Sequence, residues 1–187
     1  MNPDELSLRI AALSSALALC EMNFRSEPSQ RAKIIEFAVD CGTRACALAE
    51  TLQDTPIIAF FKRTMAEGYL RLGEPENARE MLLQSASAYR RLCRDVPRVY
   101  LGYLIGVLCV LASAEEETGH LDRCLRTLKE AASLCIQSIA LGQDAKAQLA
   151  SIFAHRGTVT QAEGDVSGAI KYLSQAVFEN NRALRIL

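Results

Sequence analysis

The segments "GEPENAREMLLQSA" (73–86), "GHLDRCLRTLKEAA" (119–132) and "GDVSGAIKYLSQAV" (164–177) share one register, and that register decides the fold. Their leading glycines, Gly73, Gly119 and Gly164, stand 46 and 45 residues apart. Five residues after each glycine comes a small side chain: Ala78, Cys124 and Ala169. Nine after comes leucine every time: Leu82, Leu128 and Leu173. Small residues return twelve after, at Ser85, Ala131 and Ala176, and seven before, at Ala66, Ala112 and Gly157. Two helices of a hairpin approach closely only where facing side chains are small, and a leucine one turn later fills the gap. A glycine between them suits a left-handed cap, and Glu74 or Asp165 after it suits the positive end of the next helix.

Outward from these segments, the breaker residues cut the chain into about eight helical pieces. Pro3 and Asp4 open the first, which runs to about Met22. Pro28 sits near the start of the second, where its missing N–H costs nothing. Ala32, Ile35, Phe37, Val39 and Ala45 are assigned to its apolar side. "DTP" (54–56) separates the second from the third, because the residue before proline avoids the α region. Pro75, Arg98, Leu121, Ala145 and Val166 begin the later helices, with Asp95 and Pro97 as punctuation before the fifth, and "LGQD" (141–144) ends the sixth. No stretch alternates with period two between turn residues, so no strand is expected. Connections of two to five residues require sequential helices to pack antiparallel. The expected fold is all-α: a right-handed α-solenoid of about four hairpins in one domain, 1–187. The hairpins are 3–53, which has lost the small/large register, then 56–95, 97–142 and 144–187.

Composition narrows the function classes. The chain has 187 residues, half of them hydrophobic, and a net charge of −1; it is long enough for a core, and no polyelectrolyte partner is implied. Arg90, Arg91, Arg94 and Arg98 read as a solvated helix end in contact with the C-terminal dipole. No aromatic and basic residues interleave there, so no nucleic-acid partner is expected. The seven cysteines form no CxxC pair. Several lie on apolar stripes, as Cys109 does in "IGVLCVLA", and they read as buried, reduced thiols in a cytoplasmic protein. His120 and His155 have no ligand partners at metal-binding spacing, so neither a metal nor a cofactor is expected. "VYLGYLIGVLCVLASA" (99–114) is short of the ~20 apolar residues that span a bilayer and reads as a buried central helix. The first twenty residues carry Asp4 and Glu5 where a signal peptide has basic residues, and Leu19 where a small one precedes the cysteine.

The three glycine-led segments resemble the second-helix half of the tetratricopeptide repeat (TPR). That family has a small residue in the first helix, a turn glycine, then alanine, a large apolar residue and alanine in this order. The resemblance covers about residues 56–187, with "SEPSQRA" echoing "GEPENA" earlier in the chain. The 45–46-residue period exceeds the family's 34, as in its long-helix variants. The aromatic of the first helix is present as Phe153, while Leu108 and Lys62 stand in the other copies, and Pro97 matches the helix-ending proline loosely.

The resemblance implies a non-catalytic scaffold or adaptor that binds a protein or peptide against its first helices. Carried across position by position, the family's groove residues are Arg63, Glu67 and Arg71 in the first clear repeat. The second supplies Ser113, Glu116 and Glu117, and the third Ala154, Thr158 and Gln161. The family's clamp for chaperone C-termini uses lysine and asparagine at such positions, and this chain has neither pattern. The last helix ends in "AVFENNRALRIL" with no polar cap after it, so Val177, Leu184, Ile186 and Leu187 are candidates for self-association into a homodimer. The alternative function is a sensor or regulatory domain of a larger assembly that binds a small ligand or peptide. An enzyme would rest on His155 as general base, and no glycine-rich phosphate loop accompanies it. No membrane partner is expected.

Overall fold

The computed structural model describes residues 28–51 and 53–184, with side chains from 32 to 181. The expected first helix and most of the first hairpin's leading half therefore lie outside the described residues. Seven helices occupy the remainder and no strand occurs among the described residues: α1 (Pro28–Thr51), α2 (Thr55–Arg71), α3 (Pro75–Asp95), α4 (Pro97–Glu117), α5 (Leu121–Ala140), α6 (Lys146–Ala162) and α7 (Val166–Leu184). The chain divides into two compact units, 1–88 and 89–187, with the boundary inside α3.

Helix starts follow the proline signals. Asp54 caps α2, its side chain accepting a hydrogen bond from the Ile57 N–H at 3.2 Å, with proline in the first turn. Val96 precedes Pro97 at the start of α4. Helix ends follow the glycines. Gly73, Gly119, Gly142 and Gly164 have φ of 76°, 75°, 82° and 87°. In each case the glycine N–H and the next N–H donate back to carbonyls of the last turn, as Gly119 does to Glu116 and His120 to Glu115. Two orphan carbonyls are thereby satisfied while the chain reverses. The same pattern ends α1 with Gln53 at φ 56°, the one non-glycine in this conformation among the described residues. Gly168 stands in the first turn of α7. Its N–H donates to Asp165 Oδ1 at 2.8 Å, and a Cβ there would meet the Asp165 carboxylate and Thr160.

In the first unit α1 packs on α2 around Cys41, Ala45, Cys46, Ala49, Phe61 and Met65. Gly68 lets the two helices close, since a Cβ there would lie 2.8 Å from Val39 Cγ2. Phe37 points outward and is 56 % exposed; at 100° per residue it lies 200° from buried Ile35, on the opposite face. In α3, Ala78, Leu82 and Ser85 are fully buried, and the Ser85 hydroxyl donates to the Ala59 carbonyl at 2.7 Å.

The second unit packs α5 on α4, α6 on α5 and α7 on α6. Cys124, Leu128 and Ala131 are fully buried, as is Ala112 opposite them. Gly157 faces Leu173 so closely that an added Cβ would lie 2.7 Å from Leu173 Cγ. By length and composition α4 could cross a membrane, but its Leu101, Leu104, Ile105, Leu108 and Leu111 are buried in this unit. Glu115 is buried with them, 4 % exposed, and accepts a hydrogen bond from the Thr127 hydroxyl at 2.7 Å. Cys41, Cys46, Cys124 and Cys135 are buried, Cys93 and Cys109 are half-buried, and Cys20 lies outside the described residues.

Three outcomes test this packing. Gly157→Ala gains helix propensity of about 1 kcal/mol but overpacks Leu173 at a cost of about 1–3 kcal/mol. Urea unfolding is expected to show a net loss that Leu173→Ala in the same chain relieves. Thr127→Val removes the donor to buried Glu115 and is expected to cost roughly 1–3 kcal/mol, with Thr127→Ser largely restoring it. Burial pushes the Cys124 and Cys135 thiols up to about 12, with Glu116, Glu115 and Glu163 adding to the effect at Cys124 and Cys109 at Cys135. Unfolded thiols ionise near pH ~8.5, so between that pH and about 12 the unfolded chain binds fewer protons than the folded one. Stability is therefore expected to fall as pH rises through this window, and mutating both cysteines to alanine should flatten that slope in pH-dependent melts.

Candidate functional site

Helical periodicity gathers one face of α4 that the core does not use. Val99, Tyr103, Gly106, Val110, Ser113 and Glu117 recur at three- and four-residue spacing along it. Val99 and Tyr103 are 52 % and 48 % exposed, and Glu116 and Glu117 are exposed at the other end. The Tyr103 ring is held rather than loose. It stacks on the buried Tyr89 with centroids 5.6 Å apart and planes 12° from parallel, and Tyr100 packs against both at 6.3 and 6.4 Å. One aromatic surface thus stands at one end of the face and the Glu117 carboxylate at the other, with Glu116 on the flank toward α6. The two ends are roughly 20 Å apart at 1.5 Å per residue.

The neighbouring first helix, α6, adds a polar neutral strip. Thr158 and Gln161 are exposed, and the Thr158 hydroxyl donates to the His155 carbonyl at 2.8 Å. His155 Nε2 lies 2.7 Å from Glu116 Oε2, so this contact joins α6 to the acidic end of α4. Ser113 is half-buried and its hydroxyl approaches the Cys109 carbonyl at 3.4 Å. Ala154 is half-buried and lines a notch between α6 and α7. In the first unit, Arg63 and Glu67 pair along α2 at 3.0 Å, and Arg71 is exposed at the helix end. The structure thus joins Glu116 of the second repeat to α6 of the third.

Sequence reasoning missed three contributors. Tyr103 carried no motif, although its spacing from Ser113 and Glu117 places it on their face. Arg90 was assigned to a helix dipole; instead its guanidinium grips Glu130 of α5 with two bonds of 2.8 and 2.9 Å. That grip raises the Arg90 pKa, chiefly through the hydrogen bond. Both side chains are about 40 % exposed, which limits the pair to the small contribution of solvent-screened bridges. Arg156 lies over the Tyr172 ring at 4.0 Å and donates to its hydroxyl at 2.7 Å, fixing α6 to α7 behind the face. Among the described residues no group of three His, Cys, Asp or Glu side chains converges as a metal site.

No protein-family model matches the sequence, and no curated protein matches it. Solved structures do. A protein of Podosopora anserina assigned as a kinesin light chain, with nearly identical TPR-like repeats, superposes with a TM-score of 0.63 at 16 % identity over 97 % of this chain and 90 % of that one. A single-site variant of the same protein gives 0.65 at the same identity and coverage. A signal transduction ATPase with numerous domains from Pyrococcus horikoshii, which carries a tetratricopeptide repeat sensor, gives 0.62 at 18 % identity, covering 92 % of this chain and 27 % of that one. At such identities the likeness is one of fold, and it agrees with the glycine-led register: the chain has the helical-repeat fold of the TPR-like proteins.

Proposed function

We propose that this chain is a non-catalytic protein-interaction scaffold that holds an extended peptide along the exposed faces of α4 and α6. The observation that carries the reading is the α4 face itself, with the stacked Tyr103 at one end and Glu117 at the other, and Glu116 on its flank toward α6. An exposed aromatic made rigid by stacking offers contact area at low entropic cost, and exposed carboxylates select basic side chains. An extended peptide advances about 3.3 Å per residue, so the ~20 Å between the two ends corresponds to about six residues. The partner segment therefore carries a large apolar residue and, about six positions away, lysine or arginine. Thr158 and Gln161 on α6 supply hydrogen bonds to its backbone. A second reading, a sensor module within a larger assembly, draws support from the repeat sensor of the Pyrococcus horikoshii ATPase.

The test is an array of peptides pairing leucine or phenylalanine with lysine at varied separations, followed by calorimetry on the tightest binder. Binding is expected to peak near six residues of separation. Tyr103→Ala and Glu116→Arg are each expected to weaken it about tenfold, or 1.4 kcal/mol, with unchanged helical melting. Arg63→Glu, on the first unit, reports whether α2 joins in recognition. Binding that ignores the separation and survives both α4 variants would reject the reading.

A further inference from the structure

Of the residues read as self-association candidates, Val177 is 61 % exposed on α7, while the Leu184 side chain, Ile186 and Leu187 lie outside the described residues. The acidic end of the α4 face holds a more specific arrangement. Glu116, offered above to the partner's basic residue, is already in contact with an imidazole: His155 Nε2 of α6 lies 2.7 Å from Glu116 Oε2. The His155 and Glu116 side chains are 23 % and 42 % exposed, so an incoming cation can still reach the carboxylate. Gly157, which packs on Leu173 of α7, stands about 200° round α6 from His155. His155 is therefore turned away from α7, and from Lys171 and Tyr172 on it.

The other ionisable groups round this contact are engaged elsewhere, stay in one charge state, or point to solvent. On α4, Glu115 is buried and takes its hydrogen bond from Thr127, and Glu117 is exposed on the face. On α5, Asp122, Arg123, Arg126 and Lys129 are exposed and Glu130 holds Arg90. The Cys124 thiol, raised by burial and by Glu116, Glu115 and Glu163 to about 12, stays protonated around neutral pH. On α6 itself, Arg156 is drawn over the Tyr172 ring. His120, in the turn after α4, meets Thr118 Oγ1 through Nδ1 at 2.8 Å. Among the described residues, His155 is thus the group placed on a groove carboxylate that changes charge near neutral pH.

We infer that His155 competes with the partner's basic residue for Glu116, so that pH sets the affinity of the peptide site. This rests on the scaffold reading above and names how that site is regulated. A neutral imidazole leaves the charge of Glu116 in place, and a lysine or arginine meets Glu116 and Glu117 together. A protonated one offsets the Glu116 charge and repels a second cation brought within ~4 Å. Affinity for a basic peptide therefore falls as pH falls through the histidine range, about pH 8 to 5. Linkage requires the converse: a cation bound at Glu116 disfavours the protonated ring, so binding within that range releases protons.

Titrating the full chain with the tightest leucine–lysine peptide of the array, at constant ionic strength, tests this directly. Affinity is expected to drop about two- to fivefold, the range of exposed ion pairs, between about pH 8 and about pH 5.5. Calorimetry within that range, in two buffers of different ionisation enthalpy, is expected to show protons released on binding. His155→Gln, which keeps a hydrogen-bond donor for Glu116 but cannot take up the charge, is expected to abolish both effects. His120→Gln is expected to retain them, and the same peptide with glutamine in place of lysine is expected to show neither. Binding that is independent of pH in the wild-type chain overturns the inference. So does a pH dependence that persists unchanged in His155→Gln. A peptide that binds at about pH 8 without any pH dependence sinks this inference and leaves the scaffold standing, whereas an array with no binder at any pH rejects both.

Discussion

Close approach of neighbouring helices at small side chains is the constraint on which the rest depends. Gly157 against Leu173, and Gly68 against Val39, leave no room for one more carbon. Ala78, Cys124 and Ala169 repeat the same economy of volume at each hairpin. Interiors pack near crystalline density, so a helix pair held this tightly has few alternative registers. The left-handed residue at each reversal then determines where the second helix begins. Its back-directed hydrogen bonds leave the last turn without orphan carbonyls, which allows a short connection to run close to the core. Gln53 shows that the conformation is imposed by the reversal: the same bonds form there although a side chain must tolerate positive φ.

Because packing buries most of α4, what remains is a narrow exposed strip. On α4 that strip carries Val99 and Tyr103 at one end and Glu117 at the other. The stack of Tyr89, Tyr100 and Tyr103 gives one end its rigidity, and the Glu116–His155 contact ties the other end to α6. Two polar pairs bridge helices within the second unit. Thr127 satisfies Glu115, and Glu130 holds Arg90 from the end of α3. These pairs add register specificity to a core otherwise built from alanine, leucine and cysteine.

Much of this was legible in the residue order. A glycine, a small residue five later and a leucine nine later constrain helix ends and facing surfaces, and the helix boundaries follow within a few residues. Glu115 was legible in principle, since it falls on the spacing of Leu108, Leu111 and Ala112, the buried side of α4. Phe37 was misassigned because a run of apolar residues hides which of them share a face. Arg90 was misassigned because its partner lies 40 residues away. Local sequence carries no information about a contact that another helix creates. Tyr103 escaped for a similar reason: the ring it stacks on, Tyr89, belongs to a different helix.

The sequence by itself determined the all-α class, the repeat period, the glycine reversals and the small-residue contacts, because each follows from backbone conformation or side-chain volume within one hairpin. Only the tertiary structure decided which equivalent positions are covered. Leu128 and Leu173 occupy the same register, yet the first is fully buried and the second, packed on Gly157 of α6, is 37 % exposed. Burial belongs to the neighbour that is present, and residue identity alone does not specify that neighbour.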